Sequence, residues 1–159
     1  MNADFDPFLH PTSRLALEVF RLNGALIAAG DMLVEPLGLT SARWQVLGAI
    51  TQAEGGLPTA GIARAMGLTR QSVQRVVDDL ARLGLVRFAP NPHHKRAKLV
   101  QLTPEGRMAF AAASTRWAPL AEALATAVTV PALDEAAQLL HRLSTALAAL
   151  TAPSSEDTP

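Results

Sequence analysis

The sequence predicts a mainly α protein with one small β hairpin, in which a central lobe is flanked by N- and C-terminal helices. Three observations carry that expectation. Apolar residues recur at helical spacing over most of the 159 residues. Between Thr59 and Leu83 a short helical pattern, a glycine turn and a second helical pattern follow one another without a spare residue. After Gly84 the apolar period changes from about 3.6 to about 2, the signature of strands.

Taken in order, Ser13 is positioned to cap a long helix from Arg14 to about Glu35, which Pro36 and Gly38 close. Thr40 opens the next helix, which runs through Ile50, and Gln52 to Pro58, with Gly55-Gly56, reads as a loop. In Thr59 to Met66 the apolar Ile62, Ala63 and Met66 share a face, and Gly67 stands where a left-handed C-terminal residue is wanted. Gly67-Leu68-Thr69 is the turn, and the Thr69 hydroxyl can accept a first-turn N–H of a helix from Arg70 to Leu83. That helix carries an apolar stripe of Val73, Val76, Val77, Leu80 and Leu83. Leu85 to Phe88 and Lys98 to Leu102 alternate around Asn91-Pro92-His93-His94-Lys95-Arg96-Ala97, a hairpin with a basic tip.

Thr103-Pro104-Glu105 supplies a cap, a proline at the first helical position and an acidic first turn for a helix running toward Val128. Pro119 is expected to kink or break it near Ala118. Beyond Pro131, Leu133, Ala136, Leu140, Leu143, Leu147 and Leu150 alternate in steps of three and four, a heptad seam. The expected segments are 1–38 (N-terminal segment and dimerisation helix), 39–102 (central lobe), 103–151 (C-terminal dimerisation helices) and a disordered tail over 152–159.

A helix, a tight turn, a second helix and a basic hairpin in this order form a winged helix-turn-helix, which makes double-stranded DNA the first partner to consider. Opposite the apolar stripe the second helix presents Arg70, Gln71, Gln74, Arg75, Asp78 and Arg82. Arg can hold guanine O6 and N7 with two hydrogen bonds and Gln can do the same for adenine N6 and N7, so this side suits a major groove. The DNA-contacting set expected is Thr69, Arg70, Gln71, Ser72, Gln74 and Arg75 from the helix, with His94, Lys95, Arg96 and Lys98 from the wing. Charge gives independent support. The whole chain has 14 Lys and Arg against 14 Asp and Glu, yet Thr59 to Leu102 holds eight basic residues and two acidic ones, a net +6. Positive charge concentrated on one helix face and one loop is the footprint of a phosphate-backbone binder.

Other classes find little footing. His10, His93, His94 and His141 lack partners at catalytic spacing, and there is no G-x-S-x-G elbow, phosphate-cradling glycine loop or H-E-x-x-H, so neither catalysis nor a cofactor is expected. Adjacent His93 and His94 without further ligands do not make a metal site. The chain has no cysteine, which excludes disulfides, zinc-thiolate sites and thiol-based sensing. Met1 to Asp6 lacks the basic and apolar regions of a signal peptide, and no run of about 18 apolar residues is free of charge or proline, so a cytoplasmic location without a membrane partner is expected.

The blocks Leu39-Thr40-Ser41-Ala42-Arg43-Trp44-Gln45-Val46-Leu47, Gly67-Leu68-Thr69-Arg70-Gln71-Ser72-Val73, Asn91-Pro92 to Lys98 and Leu102-Thr103-Pro104-Glu105-Gly106 together resemble the MarR (multiple antibiotic resistance regulator) family of transcription factors, over roughly Ser13 to Leu150. The resemblance implies a homodimeric winged-helix protein that represses nearby genes and is released from DNA by small phenolic or other amphipathic ligands. It makes Arg70 to Leu83 the recognition helix and Asn91 to Ala97 the wing tip. The chain departs from the family pattern at His94, where an Asp commonly stands two residues before the wing arginine, here Arg96.

Two copies related by a two-fold axis read a palindrome that one small module cannot, and the helical arms outside the lobe supply the surface for pairing. Phe20, Asn23, Arg43, Trp44, Leu47 and Met108 are the candidate lining of an effector cleft, whose ligand would alter the spacing of two recognition helices matched to half-sites about 34 Å apart. A second reading stays open: a winged helix used as a protein-interaction module or as a non-specific architectural DNA binder. Glutamines among the arginines of the reading face favour base readout.

Overall fold

A computed structural model describes residues 10–92, 94 and 96–152. The N-terminal Met1 to Asp6 reading, His93 and Lys95 of the wing, and the tail from Pro153 onward lie outside the described residues. The described chain is mostly helical with one three-stranded antiparallel sheet. It divides into two units, Met1–Trp117 and Ala118–Pro159.

In the first unit α1 spans Pro11–Val34. It begins earlier than Ser13 because Pro11 occupies the first turn and the His10 ring nitrogen Nδ1 accepts the Thr12 amide at 3.2 Å, so the cap is an imidazole rather than a hydroxyl. A single 3-10 turn, Glu35–Leu37, and left-handed Gly38 (φ 68°) then redirect the chain. Helix α2, Ser41–Thr51, is capped by Thr40 as the sequence predicts, and the Asp31 carboxylate accepts the Ser41 amide at 2.6 Å, tying the end of α1 to the start of α2.

Strand β1, Leu57–Pro58, stands where the sequence predicts the end of a loop. It is only two residues long and contains a proline, which leaves no alternation to detect, and it is held as an edge strand by pairing with Val100 and Leu99. Helix α3, Thr59–Met66, ends at left-handed Gly67 (φ 63°), where the Leu68 amide reaches back to the Ala63 carbonyl. Helix α4 follows over Arg70–Arg82. Leu83 is its exposed C-cap rather than the end of its apolar stripe. Because Gly84 is left-handed (φ 72°) and the Leu85 amide is committed to the Leu80 carbonyl, the next strand cannot begin at Leu85. Strand β2 is accordingly Val86–Ala89, and β3 is Leu99–Leu102 rather than starting at Lys98. The sheet order is β1-β3-β2. This is a winged helix-turn-helix.

One core unites the lobe. Val46, Leu47 and Ile50 of α2, Ile62 and Ala63 of α3, Val73, Val77 and Leu80 of α4, and Val86 and Val100 of the sheet are buried together with Val34 from α1 and Ala113 from α5. Burying each of the valines, leucines and isoleucines contributes about 1.5–3 kcal/mol, so the lobe's geometry is set by apolar packing before any ion pair acts. Helix α5, Pro104–Val128, starts where expected, with the Thr103 hydroxyl accepting the Gly106 amide at 3.0 Å. Of the two outcomes expected at Pro119, a kink or a break, the break does not occur: the helix continues past the proline.

The second unit contains the end of α5 and all of α6, Val130–Leu150. Thr129 between them has a positive φ of 77°, rare for a β-branched residue, and its hydroxyl caps α6. No residue of α6 is buried, and Leu133, Leu140, Leu143, Leu147 and Leu150 of the predicted seam are all exposed, Leu147 at 62%. Among the described residues no helix is long and apolar enough to cross a membrane.

Candidate nucleic-acid interface

The face of α4 expected to read DNA is built from the turn outward. Thr69, in extended backbone, accepts the Ser72 amide on its hydroxyl at 3.2 Å, and the Ser72 hydroxyl donates back to the Thr69 carbonyl at 2.9 Å. Thr69 and Ser72 therefore hold the N-terminus of α4 as a reciprocal cap, which leaves its first turn facing outward with unsatisfied N–H groups. Val73, Val77 and Leu80 pin the opposite side of the helix into the core. Arg70, Gln71 and Arg75 are consequently exposed, and Gln74 is half-buried.

The hairpin completes a groove. Arg70 and Gln74 of α4 and Arg96 and Lys98 of the wing line one open cleft of about 240 Å³, with Phe88 and the start of α3 as its apolar walls. Alternation along β2 explains the wall: Phe88 pairs with buried Val100, so both point to the α4 side, whereas Arg87 pairs with Gln101 on the other side. Arg87 thus belongs to the net positive segment without facing the groove. At the tip, the His94 amide donates to the Asn91 carbonyl and the Ala97 amide to the His94 carbonyl, forming a tight turn that exposes Arg96. Among the described residues no carboxylate pairs with Arg96, in keeping with His94 occupying the position two residues before it.

Two acidic residues of α4 act in ways the sequence did not reveal. The Gln74 amide donates to the Asp78 carboxylate at 2.8 Å, so a side chain expected to read a base is held one turn along its own helix. Asp79, half-buried, accepts from Arg43 of α2 at 3.3 Å and from Arg82 of its own helix. Helix α4 is therefore clamped to α2 by charge as well as by the core. The i, i+4 spacing of Gln74 and Asp78 was available as a signal; Arg43 and Asp79 are 36 residues apart and only the fold joins them.

The six candidate effector residues fall into different environments. Leu47 is fully buried in the core, Arg43 is engaged with Asp79, and half-buried Trp44 packs against Trp117 of α5 with ring centroids 5.8 Å apart. Phe20 (71% exposed), Asn23 and Met108 lie open on α1 and α5. Among the described residues no group of three or more His, Cys, Asp or Glu is placed to hold a metal ion.

Comparison with known proteins bears on this geometry. A sequence profile of the MarR family matches residues 37–97, the span from the end of the 3-10 turn through the wing tip. An uncharacterized protein of Mycobacterium tuberculosis is 38% identical over 137 residues, covering 86% of this chain and 94% of the relative. The structure of Sco5413, a MarR family transcriptional regulator from Streptomyces coelicolor, matches with a TM-score of 0.72 at 29% identity, covering 86% of this chain and 95% of that one. The M. tuberculosis transcriptional regulator MosR, solved in complex with DNA, matches with a TM-score of 0.70 at 24% identity over 83% of this chain and 96% of that one.

Proposed function

The chain belongs to the MarR family of DNA-binding transcription regulators, and on that premise we propose that it works as a homodimeric repressor of a pseudo-palindromic operator in the cytoplasm. The observation that carries this reading is the groove in which Arg70 and Gln74 of the recognition helix meet Arg96 and Lys98 of the wing. Helix α4 enters a major groove, Arg70, Gln71, Gln74 and Arg75 contact base edges, and Arg96 and Lys98, with Lys95 and His94, lie along the adjacent backbone. Thr69 and Ser72 hold the N-terminus of α4 so that the uncapped amides of its first turn face a phosphate.

Pairing of two chains is supported by apolar surface that a single chain leaves in water. Leu17, Phe20, Leu22 and Met32 of α1 are exposed, as is the leucine seam of α6. Each helix so exposed gains by meeting its counterpart in a second copy. The segments 1–38 and 103–151 are accordingly the dimerisation arms and 39–102 the DNA-binding lobe. Release by a small amphipathic or aromatic effector completes the proposal. Its lining would draw on exposed Phe20, Asn23 and Met108 and on Arg43 and Trp44, and would reach Leu47 only by opening the core.

The test is binding of the purified protein to duplex fragments from its own genomic neighbourhood, by footprinting and by gel shift between about 50 and 200 mM salt. A protected palindrome with half-sites about one helical turn apart is expected. In Gln74→Ala and Arg75→Ala proteins, sequence preference is expected to relax, each lost bidentate contact removing about 1–3 kcal/mol of discrimination. Equal loss across all sequences would instead indicate an architectural binder, and no retention of any duplex would indicate a protein-interaction module.

A further inference from the structure

Behind the wing, on the sheet face opposite the α4 groove, lies an open cleft of about 330 Å³. Two guanidinium groups line it, Arg87 from β2 and Arg107 from the first turns of α5. Neither pairs with a carboxylate among the described residues: the Arg87 side chain makes no hydrogen bond there, and the Arg107 side chain donates only to the Leu102 carbonyl, at 3.1 Å. That bond fixes the Arg107 side chain and leaves its remaining donors free.

The floor of the cleft is set in advance. The Gln101 side-chain amide donates to the Gly55 carbonyl at 2.7 Å, fastening the glycine turn to β3. Gly56 has φ 97°, and a Cβ there would sit 2.5 Å from the Val100 carbonyl oxygen, so only glycine lets the turn approach the strand this closely. Half-buried Ala53 and Leu102, with the edge of buried Ile50, supply an apolar wall. Two planar cationic forks, a fixed polar floor and a short apolar wall are complementary to a planar anion attached to a small apolar body. The volume stands at the small end of the range for ligand sites.

We propose that this cleft is a binding site for a small organic carboxylate, separate from the DNA-reading groove. The carboxylate lies between Arg87 and Arg107, and its apolar body rests against Ala53 and Leu102. Duplex DNA is disfavoured as the occupant because Arg70, Gln74, Arg96 and Lys98 line a groove on the other side of the sheet. The site depends on no part of the DNA-binding reading, so each can fail alone.

The experiment is a titration of the full ¹⁵N-labelled chain, followed by amide chemical shifts, with hexanoate and benzoate, their neutral amides hexanamide and benzamide, and inorganic phosphate. Saturable shifts of the Gly55 and Gly56 amides and of the Gln101 side-chain amide are expected with the carboxylates, with responses at least fivefold smaller for the neutral amides. Arg87→Gln, at an exposed residue without partners, is expected to raise the Kd at least tenfold while leaving the melting temperature unchanged; Arg107→Met is expected to do the same to the Kd. Absence of a saturable response to either carboxylate, equal response to the amides, or an unchanged Kd in Arg87→Gln would overturn the proposal. A response to phosphate alone would overturn the carboxylate assignment.

Discussion

Breaking the Arg43–Asp79 pair is expected to loosen the recognition helix by an amount that can be bounded from its geometry. The charged atoms are 3.3 Å apart, and the side chains are 29% and 34% exposed. At an effective dielectric constant of about 20 the gross attraction is about 5 kcal/mol, but desolvation and side-chain ordering offset most of it. Fully exposed pairs net about 0.2–1 kcal/mol, and truncating one partner of a fully buried pair costs about 3–5 kcal/mol. A pair about one-third exposed belongs near the lower bound, so a coupling energy of about 1 kcal/mol is expected. The assay is a double-mutant cycle of Arg43→Ala, Asp79→Ala and the double variant by urea denaturation at fixed protein concentration, repeated at about 1 M salt, where the Debye length falls to about 3 Å. Asp79→Ala is expected to cost a few tenths of a kcal/mol more than Arg43→Ala, because Asp79 also accepts from exposed Arg82. A coupling below about 0.3 kcal/mol in low salt would refute the view that charge helps fix α4 on α2.

Gly106→Ala would normally add about 1 kcal/mol to a helix, yet here the new methyl collides with the Leu85 carbonyl; we expect a net loss of about 3 kcal/mol, read as a lower urea midpoint with unchanged slope. Thr69→Ala removes the α4 cap and is expected to cost about 1 kcal/mol by the same measurement, with weaker DNA binding. Asp78→Ala frees Gln74 and removes a negative charge from the reading side, and is expected to tighten duplex binding several-fold in gel shift at low salt; weakened binding would show that Gln74 needs the carboxylate to be aimed. Leu143→Glu combined with Leu147→Glu changes two exposed side chains and is expected to give a monomer in analytical ultracentrifugation that binds the operator at least a hundredfold more weakly.

What could be seen in the chain beforehand follows from how local the cause is. Gly67, Thr69 and Gly84 each act within a few residues, through a left-handed turn or a side-chain cap, and the helix-turn-helix was legible from them. The switch of period after Gly84 exposed the hairpin for the same reason. Strand β1 was hidden because its two residues owe their conformation to pairing with β3, some forty positions away. The site divides likewise. Arg70, Gln71 and Arg75 could be assigned to the outer side of α4 from helical spacing alone, whereas Asp79 as an anchor and Arg87 on the back of the sheet required knowing which element lies against which. His10 as a cap was missed because an imidazole is not the usual residue for that task.

The contact between Trp44 and Trp117 gives the protein a built-in optical reporter. The chain has two tryptophans and no tyrosine, so nearly all of its near-ultraviolet absorption and emission arises where α2 meets α5. Unlabelled protein is therefore silent about the wing and the leucine seam, but a slip of α2 against α5 alters the ring overlap directly. Since α2 also carries Arg43, which pairs with Asp79 of α4, the native fluorescence reports on the helix to which α4 is anchored.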